Sequence, residues 1–152
     1  MGAQVVGRAV QASKNRRTQK PAPPGRIVVP VTKAVEARAH RQAVASEITE
    51  IAAFLQEALG QKLTAFIAGA KDSKTVGRWA HGGNAPRSEA QTRLRGAYQV
   101  FHLIQECDSE EVARAWFIGM NPHLDDRSPA EALSEDRLRQ VMSAARLFTE
   151  SD

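Results

Sequence analysis

The sequence has 152 residues, of which 42% are hydrophobic, 25% charged and 5% aromatic, a composition typical of a globular domain. Its single cysteine, Cys107, excludes an internal disulfide and a cluster of thiolate metal ligands. No run approaches the roughly 18 to 20 consecutive apolar residues of a membrane span, and no secretory signal pattern is present, so we expect a cytoplasmic protein without membrane contacts.

The formal net charge of +4 conceals regions of opposite sign. Residues 1–42 carry nine basic side chains and one acidic one, and residues 61–95 carry seven basic and two acidic ones. Residues 96–152 carry five basic and eleven acidic side chains. Because a basic surface suits a polyanion and an acidic surface does not, this distribution predicts two different partners.

Residues 1–42 are predicted to form a basic, proline-containing, disordered arm, because no amphipathic period accompanies the four prolines of the first thirty residues. An amphipathic helix follows, with Ile48, Ile51, Leu55 and Leu59 spaced three or four residues apart, and Gly60 ends it. A helix that begins earlier, after Pro30, is equally compatible with the pattern.

The remaining chain continues in helical segments. Leu63, Phe66 and Ile67 mark a short helix with core residues, and a second helix, capped by Asp72, runs to Ala80. The later helices are predicted from Ser88 to before Asp108, from a cap formed by Asp108-Ser109-Glu110-Glu111 to about Ile118, from a Ser128 cap to Leu133, and from Leu138 through Phe148. No strand-like alternation is present, so an all-α, orthogonal helical assembly is expected.

The segment from Leu63 to Gly82 resembles a helix-turn-helix of the Cro and phage-repressor type, within a predicted domain of residues 43–107. Val76 and Trp79 are three residues apart and therefore share one buried face of the second helix. Ser73, Lys74, Gly77 and Arg78 are then expected on the outward face, where a recognition helix meets the major groove.

The resemblance implies binding of double-stranded operator DNA. The DNA-binding residues that it implies are Lys71, Ser73, Lys74, Thr75, Arg78 and Arg87. Arg78 can make a bidentate contact to guanine, whereas Lys71, Lys74, Arg87, Arg93 and Arg95 are expected against phosphates. The alternative is that these bases are simply a solvated face.

The segment 115–133 resembles the C-terminal toxin-binding domain of Xre, MbcA and ParS type antitoxins, within a predicted domain of residues 108–152. The shared features are Trp116, the Asn121-Pro122 turn, Leu124, Arg127-Ser128-Pro129 and Leu133. Many relatives have glycine between the leucine and the arginine, where this chain has Asp125 and Asp126. Aspartate tolerates turn and left-handed conformations better than most residues. Trp116 and Leu133 are expected in the core.

In such families the toxin is a RES-domain enzyme that degrades NAD, and the antitoxin covers its active-site cleft. The toxin-binding residues so implied are His123, Asp125, Asp126, Arg127, Arg146, Thr149, Glu150, Ser151 and Asp152. An acidic end suits a cleft that binds an anionic dinucleotide, although the same acids could serve solubility alone.

No local catalytic or metal-binding signature is present, since the four histidines are scattered and no phosphate-binding loop or nucleophile elbow occurs. We therefore expect neither catalysis nor a cofactor. The chain is predicted to be an antitoxin that also regulates its own operon, as a homo-oligomer or as a hetero-oligomer with the toxin. The alternative is a homodimeric helix-turn-helix regulator without a toxin partner.

Overall fold

The computed structural model describes residues 33–151, and within them it contains eight α-helices and no β-strand. The helices are α1 (Lys33–Ala45), α2 (Ile48–Leu59), α3 (Gln61–Ala68), α4 (Lys74–Ala80), α5 (Ser88–Cys107), α6 (Glu110–Ile118), α7 (Pro129–Ser134) and α8 (Leu138–Glu150). A 3-10 turn, Pro122–Leu124, lies between α6 and α7. The predicted all-α class is confirmed.

Helix α1 corrects part of the predicted arm, because residues 33–42 are helical. The helix packs against α5 through Ala39 and Ala43, both buried. Its end is held by Arg95 of α5, whose guanidinium donates to the carbonyl oxygens of Ala43, at 2.8 Å, and Ser46, at 2.7 Å. The alternative helix start after Pro30 therefore corresponds to a separate helix, and α2 begins only at Ile48. The rest of the predicted arm, residues 1–32, lies outside the described residues.

Helix α5 is the centre of the fold, since α1, α2, α3, α6, α7 and α8 all contact it. Its side chains are buried on several sides, as expected of a helix surrounded by others. Those with no solvent exposure are Leu94, Ala97, Val100, Phe101, Leu103 and Ile104. The Phe101 ring lies 5.5 Å from that of Phe54 on α2 and 5.9 Å from that of Phe117 on α6. Residues on both sides of the predicted domain boundary at Asp108 therefore meet on one helix and belong to one hydrophobic cluster.

The predicted helix caps account for the bounds of several helices. The Ser109 hydroxyl accepts a hydrogen bond from the Val112 backbone N–H at 3.1 Å, and Ser128 accepts one from Glu131 at 3.1 Å. The Glu131 carboxylate in turn accepts from the Ser128 N–H, which lowers the pKa of Glu131. A carboxylate oxygen of Asp72 accepts from the Lys74 N–H at 3.0 Å, so Asp72 supports the start of α4.

Burial shifts the pKa of two titratable groups of α5, one fully and one partly buried. Cys107 is buried, and burial, followed by the charge of Glu106, raises the pKa of its thiol, as expected of an unreactive cysteine. The His102 ring stacks on Phe54 at 4.7 Å, and desolvation lowers its pKa. Among the described residues, no three His, Cys, Asp or Glu side chains form a metal-binding group. No helix in this part of the chain is long and apolar enough to cross a bilayer.

Candidate functional site

Helices α3 and α4 and the α3–α4 turn, residues 69–73, form the segment that resembles a helix-turn-helix. Val76 is fully buried and Trp79 is 9% exposed, so both predicted core positions of α4 face inward. The Thr64 hydroxyl lies 3.0 Å from the Leu55 carbonyl oxygen and 2.8 Å from that of Gly60, which fixes α3 against the end of α2. The turn therefore joins two helices that are each anchored to α2.

Two predictions about the faces of these helices are wrong. Phe66 was expected in the core but is 48% exposed, because the buried face of α3 is made by Thr64, Ala65, Ile67 and Ala68. Gly77 was expected on the outward face of α4. A Cβ atom at this position would lie 2.9 Å from the Gln61 amide nitrogen, so Gly77 faces the neighbouring helices and offers nothing to DNA.

The predicted DNA-binding side chains divide into exposed and half-buried groups. Lys71, Lys74, Arg78 and Arg87 are exposed, and Ser73 and Thr75 are half-buried. Lys71, Thr75 and Arg87 line one groove together with Trp79 and with the turn residues Gly69 and Ala70. An Arg78 guanidinium nitrogen lies 3.3 Å from the Thr75 hydroxyl, so this side chain lies along its own helix. The structure thus brings three of the six residues into a common groove.

Arg93 and Arg95, expected against phosphates, make internal contacts instead. Arg95 holds the end of α1, as described above. The Arg93 guanidinium donates two hydrogen bonds to the Asp136 carboxylate, at 2.8 and 3.0 Å, and one to the Ala68 carbonyl oxygen at 3.3 Å. Both arginines therefore stabilise the fold. A count of charges in the sequence cannot distinguish such a structural arginine from one that binds DNA.

The α3–α4 turn depends on Gly69, which ends α3 in the left-handed conformation with φ of 80°. The glycine also lets Arg93 approach, since a Cβ atom at Gly69 would lie 2.7 Å from its Nη1 atom. Gly82 has nearly the same φ, 83°, with no atom within 4 Å of a Cβ.

We therefore expect Gly69→Ala to destabilise the protein more than Gly82→Ala. Left-handed backbone alone costs alanine about 1–2 kcal/mol, and this strain is common to both variants. Only Gly69→Ala also places a Cβ atom 2.7 Å from the Arg93 Nη1 atom, which donates to the Ala68 carbonyl oxygen. Urea denaturation of the two variants measures the difference, and equal losses of unfolding free energy would show that the close approach of Arg93 has no energetic weight.

The loop 121–127 closes on itself through backbone hydrogen bonds. The Asn121 N–H donates to the Arg127 carbonyl at 3.1 Å, and the Leu124 N–H donates to the Asn121 carbonyl at 2.9 Å. Asp125 and Asp126 have φ of 59° and 62°, a left-handed conformation that glycine adopts most readily and aspartate better than most other residues. Leu124 is fully buried, so the loop is anchored in the core while the two aspartates stay exposed.

Three consecutive residues after α7 connect this loop with the rest of the structure. Glu135 forms an ion pair with Arg127, and Arg137 donates to Asp125 at 3.0 Å. Between them, Asp136 accepts the two bonds from Arg93 and has φ of 63°. The hydrogen bond from Arg93 lowers the pKa of Asp136, and the same bond raises that of Arg93 against the opposing effect of burial.

The other predicted toxin-binding residues are dispersed along the C-terminal part. His123, Glu150 and Ser151 are exposed. Arg146 forms an ion pair with Glu36 of α1, and Asp152 lies outside the described residues. Thr149 was expected on the surface, and this expectation of exposure was wrong, because the residue is only 2% exposed, with its hydroxyl 3.0 Å from the Arg146 carbonyl oxygen.

The sequence analysis missed four exposed apolar side chains near these residues. They are Ile118, Met120, Leu147 and Phe148, which we call the C-terminal apolar surface, with exposures of 62, 79, 44 and 37%. Leu147 shares a groove with His123, and the Phe148 ring lies 6.2 Å from that of Trp116. Helical periodicity could have predicted the exposure of Ile118, because this residue is two positions after the buried Trp116 and therefore faces away from it.

Comparisons with protein-family models, curated proteins and solved structures found no match for this chain. Its function must therefore be inferred from its own residues and their geometry.

Proposed function

We propose that this chain is an antitoxin, which neutralises a RES-type, NAD-degrading toxin through its C-terminal part and regulates its own operon through α4. The observation that carries the proposal is the C-terminal apolar surface beside the acidic loop 121–127. Large apolar side chains that remain in solvent are typical of a surface covered by a partner protein. Met120, at 79% exposure, is the most accessible of them and directly precedes the loop.

The charge of this region indicates which kind of partner fits. Asp125 and Asp126 are exposed, and residues 96–152 have six more acidic than basic side chains. A cleft that binds the anionic dinucleotide NAD is electropositive, so an acidic surface is complementary to it. The apolar side chains then supply buried area, and the carboxylates supply orientation and specificity.

The DNA-binding part of the proposal rests on the opposite surface charge around α4. Lys71, Lys74, Arg78 and Arg87 are exposed there, whereas Val76 and Trp79 hold the helix in the core. Exposed cations that flank a short helix provide contacts to phosphates, and the Arg78 guanidinium, once it leaves the Thr75 hydroxyl, can read guanine in the major groove. Gly77 offers no side chain outward, so Arg78 and Thr75 carry the base-reading role.

A homodimeric regulator without a toxin is the second candidate, and the same C-terminal apolar surface supports it. A two-fold pair buries identical surfaces against each other and sets two recognition helices about one turn of DNA apart. The mass of the purified chain in solution shows whether this surface joins two copies. A stable dimer whose formation is lost in Met120→Asp, from a chain that does not relieve the toxicity of the adjacent gene's product, favours the regulator.

The antitoxin proposal predicts that the chain co-purifies with the protein encoded by the adjacent gene and relieves its toxicity. We expect Met120→Asp to abolish both effects, because it places an uncompensated charge in an apolar contact. Phe66→Asp is the matched control, since it removes an exposed apolar side chain from α3, outside the C-terminal part.

The readouts are growth under co-expression, NAD content of the cells and affinity pull-down. Thermal unfolding of both variants shows whether they remain folded. Neutralisation that survives Met120→Asp, or fails already in the parent chain, would contradict the proposal.

A further inference from the structure

The loop Glu135-Asp136-Arg137 holds ion pairs to two separate parts of the molecule. Its first and last residues contact Arg127 and Asp125 of the loop 121–127. Its middle residue holds Arg93, which in turn contacts the last carbonyl of α3. These three residues thus lie between the surface proposed for the toxin and the turn that positions α4.

We propose that this loop couples the two surfaces, so that a protein bound at Asp125 and Arg127 loosens the α3–α4 turn. The inference rests on the proposed function, because it assigns the regulation of the same two surfaces. A partner that contacts these side chains competes with Arg137 and Glu135 for them. The loop then loses the ion pairs on both sides of Asp136, and the backbone hydrogen bonds of Asp136 to Leu133 and of Arg137 to Ala132 are what remain to hold it.

The position of Asp136 matters because its carboxylate orients Arg93. Both oxygens accept from the guanidinium, at 2.8 and 3.0 Å, and this fixes the plane in which the third donor reaches Ala68. The Arg93 side chain is only 20% exposed, and Gly69 packs directly against it. A displaced Asp136 therefore leaves Arg93 free to withdraw from the turn.

The α3–α4 turn determines the positions of Lys71 and Thr75. Both line the same groove as Gly69 and Arg93, and α4 begins directly after the turn. A looser turn lowers the fraction of molecules with α4 ready for DNA, which weakens binding without any contact between toxin and DNA. By linkage, DNA that requires the ordered turn weakens the partner's affinity to the same degree.

Hydrogen exchange of the full chain, followed by mass spectrometry, tests the coupling without either partner. Asp136→Asn removes the carboxylate charge but keeps a residue that tolerates the left-handed backbone. We expect exchange in peptides covering residues 69–76 to rise about threefold to tenfold, the range that corresponds to a moderate coupling between sites. Asp126→Asn is the matched control, since Asp126 has φ of 62° and forms no ion pair among the described residues.

A double variant, Asp125→Asn with Arg127→Gln, imitates the withdrawal of both side chains by a partner. The expected result is faster exchange in residues 69–76 as well as in residues 121–137. If exchange in the double variant rises only in residues 121–137, the coupling is refuted. It is also refuted if the exchange rate of residues 69–76 is unchanged in Asp136→Asn. If Asp136→Asn does not fold cooperatively, Arg93→Lys replaces it, because lysine keeps the charge but not the two-pronged contact.

Affinity for the chain's own upstream DNA separates this inference from the proposed function. We expect Asp136→Asn to weaken DNA binding about threefold to tenfold and Asp126→Asn to leave it unchanged. A parent chain that binds no DNA refutes the DNA part of the proposed function. Hydrogen exchange still decides in that case whether the loop 135–137 controls the turn.

Discussion

Replacing Phe101 by alanine is expected to lower the free energy of unfolding by about 3–5 kcal/mol, the usual cost of deleting a large aromatic side chain from a core. Phe101 has no solvent exposure and contacts both Phe54 of α2 and Phe117 of α6. Since domains of this size are stable by about 5–15 kcal/mol, the loss is a large fraction of the total. Urea denaturation measures it, with Phe66→Ala as the control, because Phe66 is 48% exposed.

The same experiment decides whether the two predicted domains unfold together. Trp79 and Trp116 lie on opposite sides of the boundary at Asp108, and each is 9% exposed, so each reports on its own part. Each of the variants Trp79→Phe and Trp116→Phe keeps one tryptophan as reporter. After correction for the stability that each substitution itself removes, the two remaining tryptophans should report the same urea midpoint. Phe101→Ala should move both transitions equally, because α5 is common to both parts. A variant that shifts only one tryptophan's transition contradicts a single cooperative unit.

The sequence was sufficient to predict the features that depend on neighbouring residues. Ser128 caps the helix it was expected to cap, Ser109 is the cap within the predicted cap segment 108–111, and Gly60 ends α2, because each acts within three or four residues. Helix α1 was anticipated only as the open alternative of a helix that begins after Pro30, whereas residues 1–42 were predicted to be a disordered arm. Its buried face consists of Ala39 and Ala43, which produce a weak hydrophobic pattern, and Arg95 holds its end from 52 positions away.

The errors at the candidate sites have a geometric cause. Consecutive residues on an α-helix are rotated by about 100° around its axis. The inward direction inferred from a sequence therefore depends on which residues are taken to be buried. Val76, Gly77 and Ala80 are spaced at i, i+1 and i+4 on α4 and together pack toward α2, which placed Gly77 on the inward side. Arg93 could not be predicted, because its partner Asp136 is 43 positions away and either residue alone resembles a surface charge.

Binding to upstream DNA is expected to become much less sensitive to salt when three cations around α4 are removed together. In Lys71→Gln, Lys74→Gln, Arg87→Gln, the plot of log affinity against log salt concentration should lose about 0.9 of slope for each phosphate contact, or about 2.7 in all. All three side chains are exposed, and none has an ion pair among the described residues, so the substitutions leave the fold unstrained. Fluorescence anisotropy of a labelled duplex between about 50 and 200 mM salt measures the slope.

The matched control is Lys33→Gln, Arg41→Gln, Arg139→Gln, which removes the same charge from exposed positions on α1 and α8. A slope that stays near the parent value in this control, while the α4 variant loses its salt dependence, assigns the phosphate contacts to the helix-turn-helix-like segment. Arg78→Ala then separates recognition of a base from electrostatic attraction to phosphates. Loss of a bidentate guanine contact weakens the binding free energy by about 1–3 kcal/mol when that base pair is present and changes binding to other sequences little. If both triple variants reduce the slope equally, the three cations around α4 act only through the net charge of the protein. The helix-turn-helix-like segment is then a solvated face, and the partner binds at the C-terminal part.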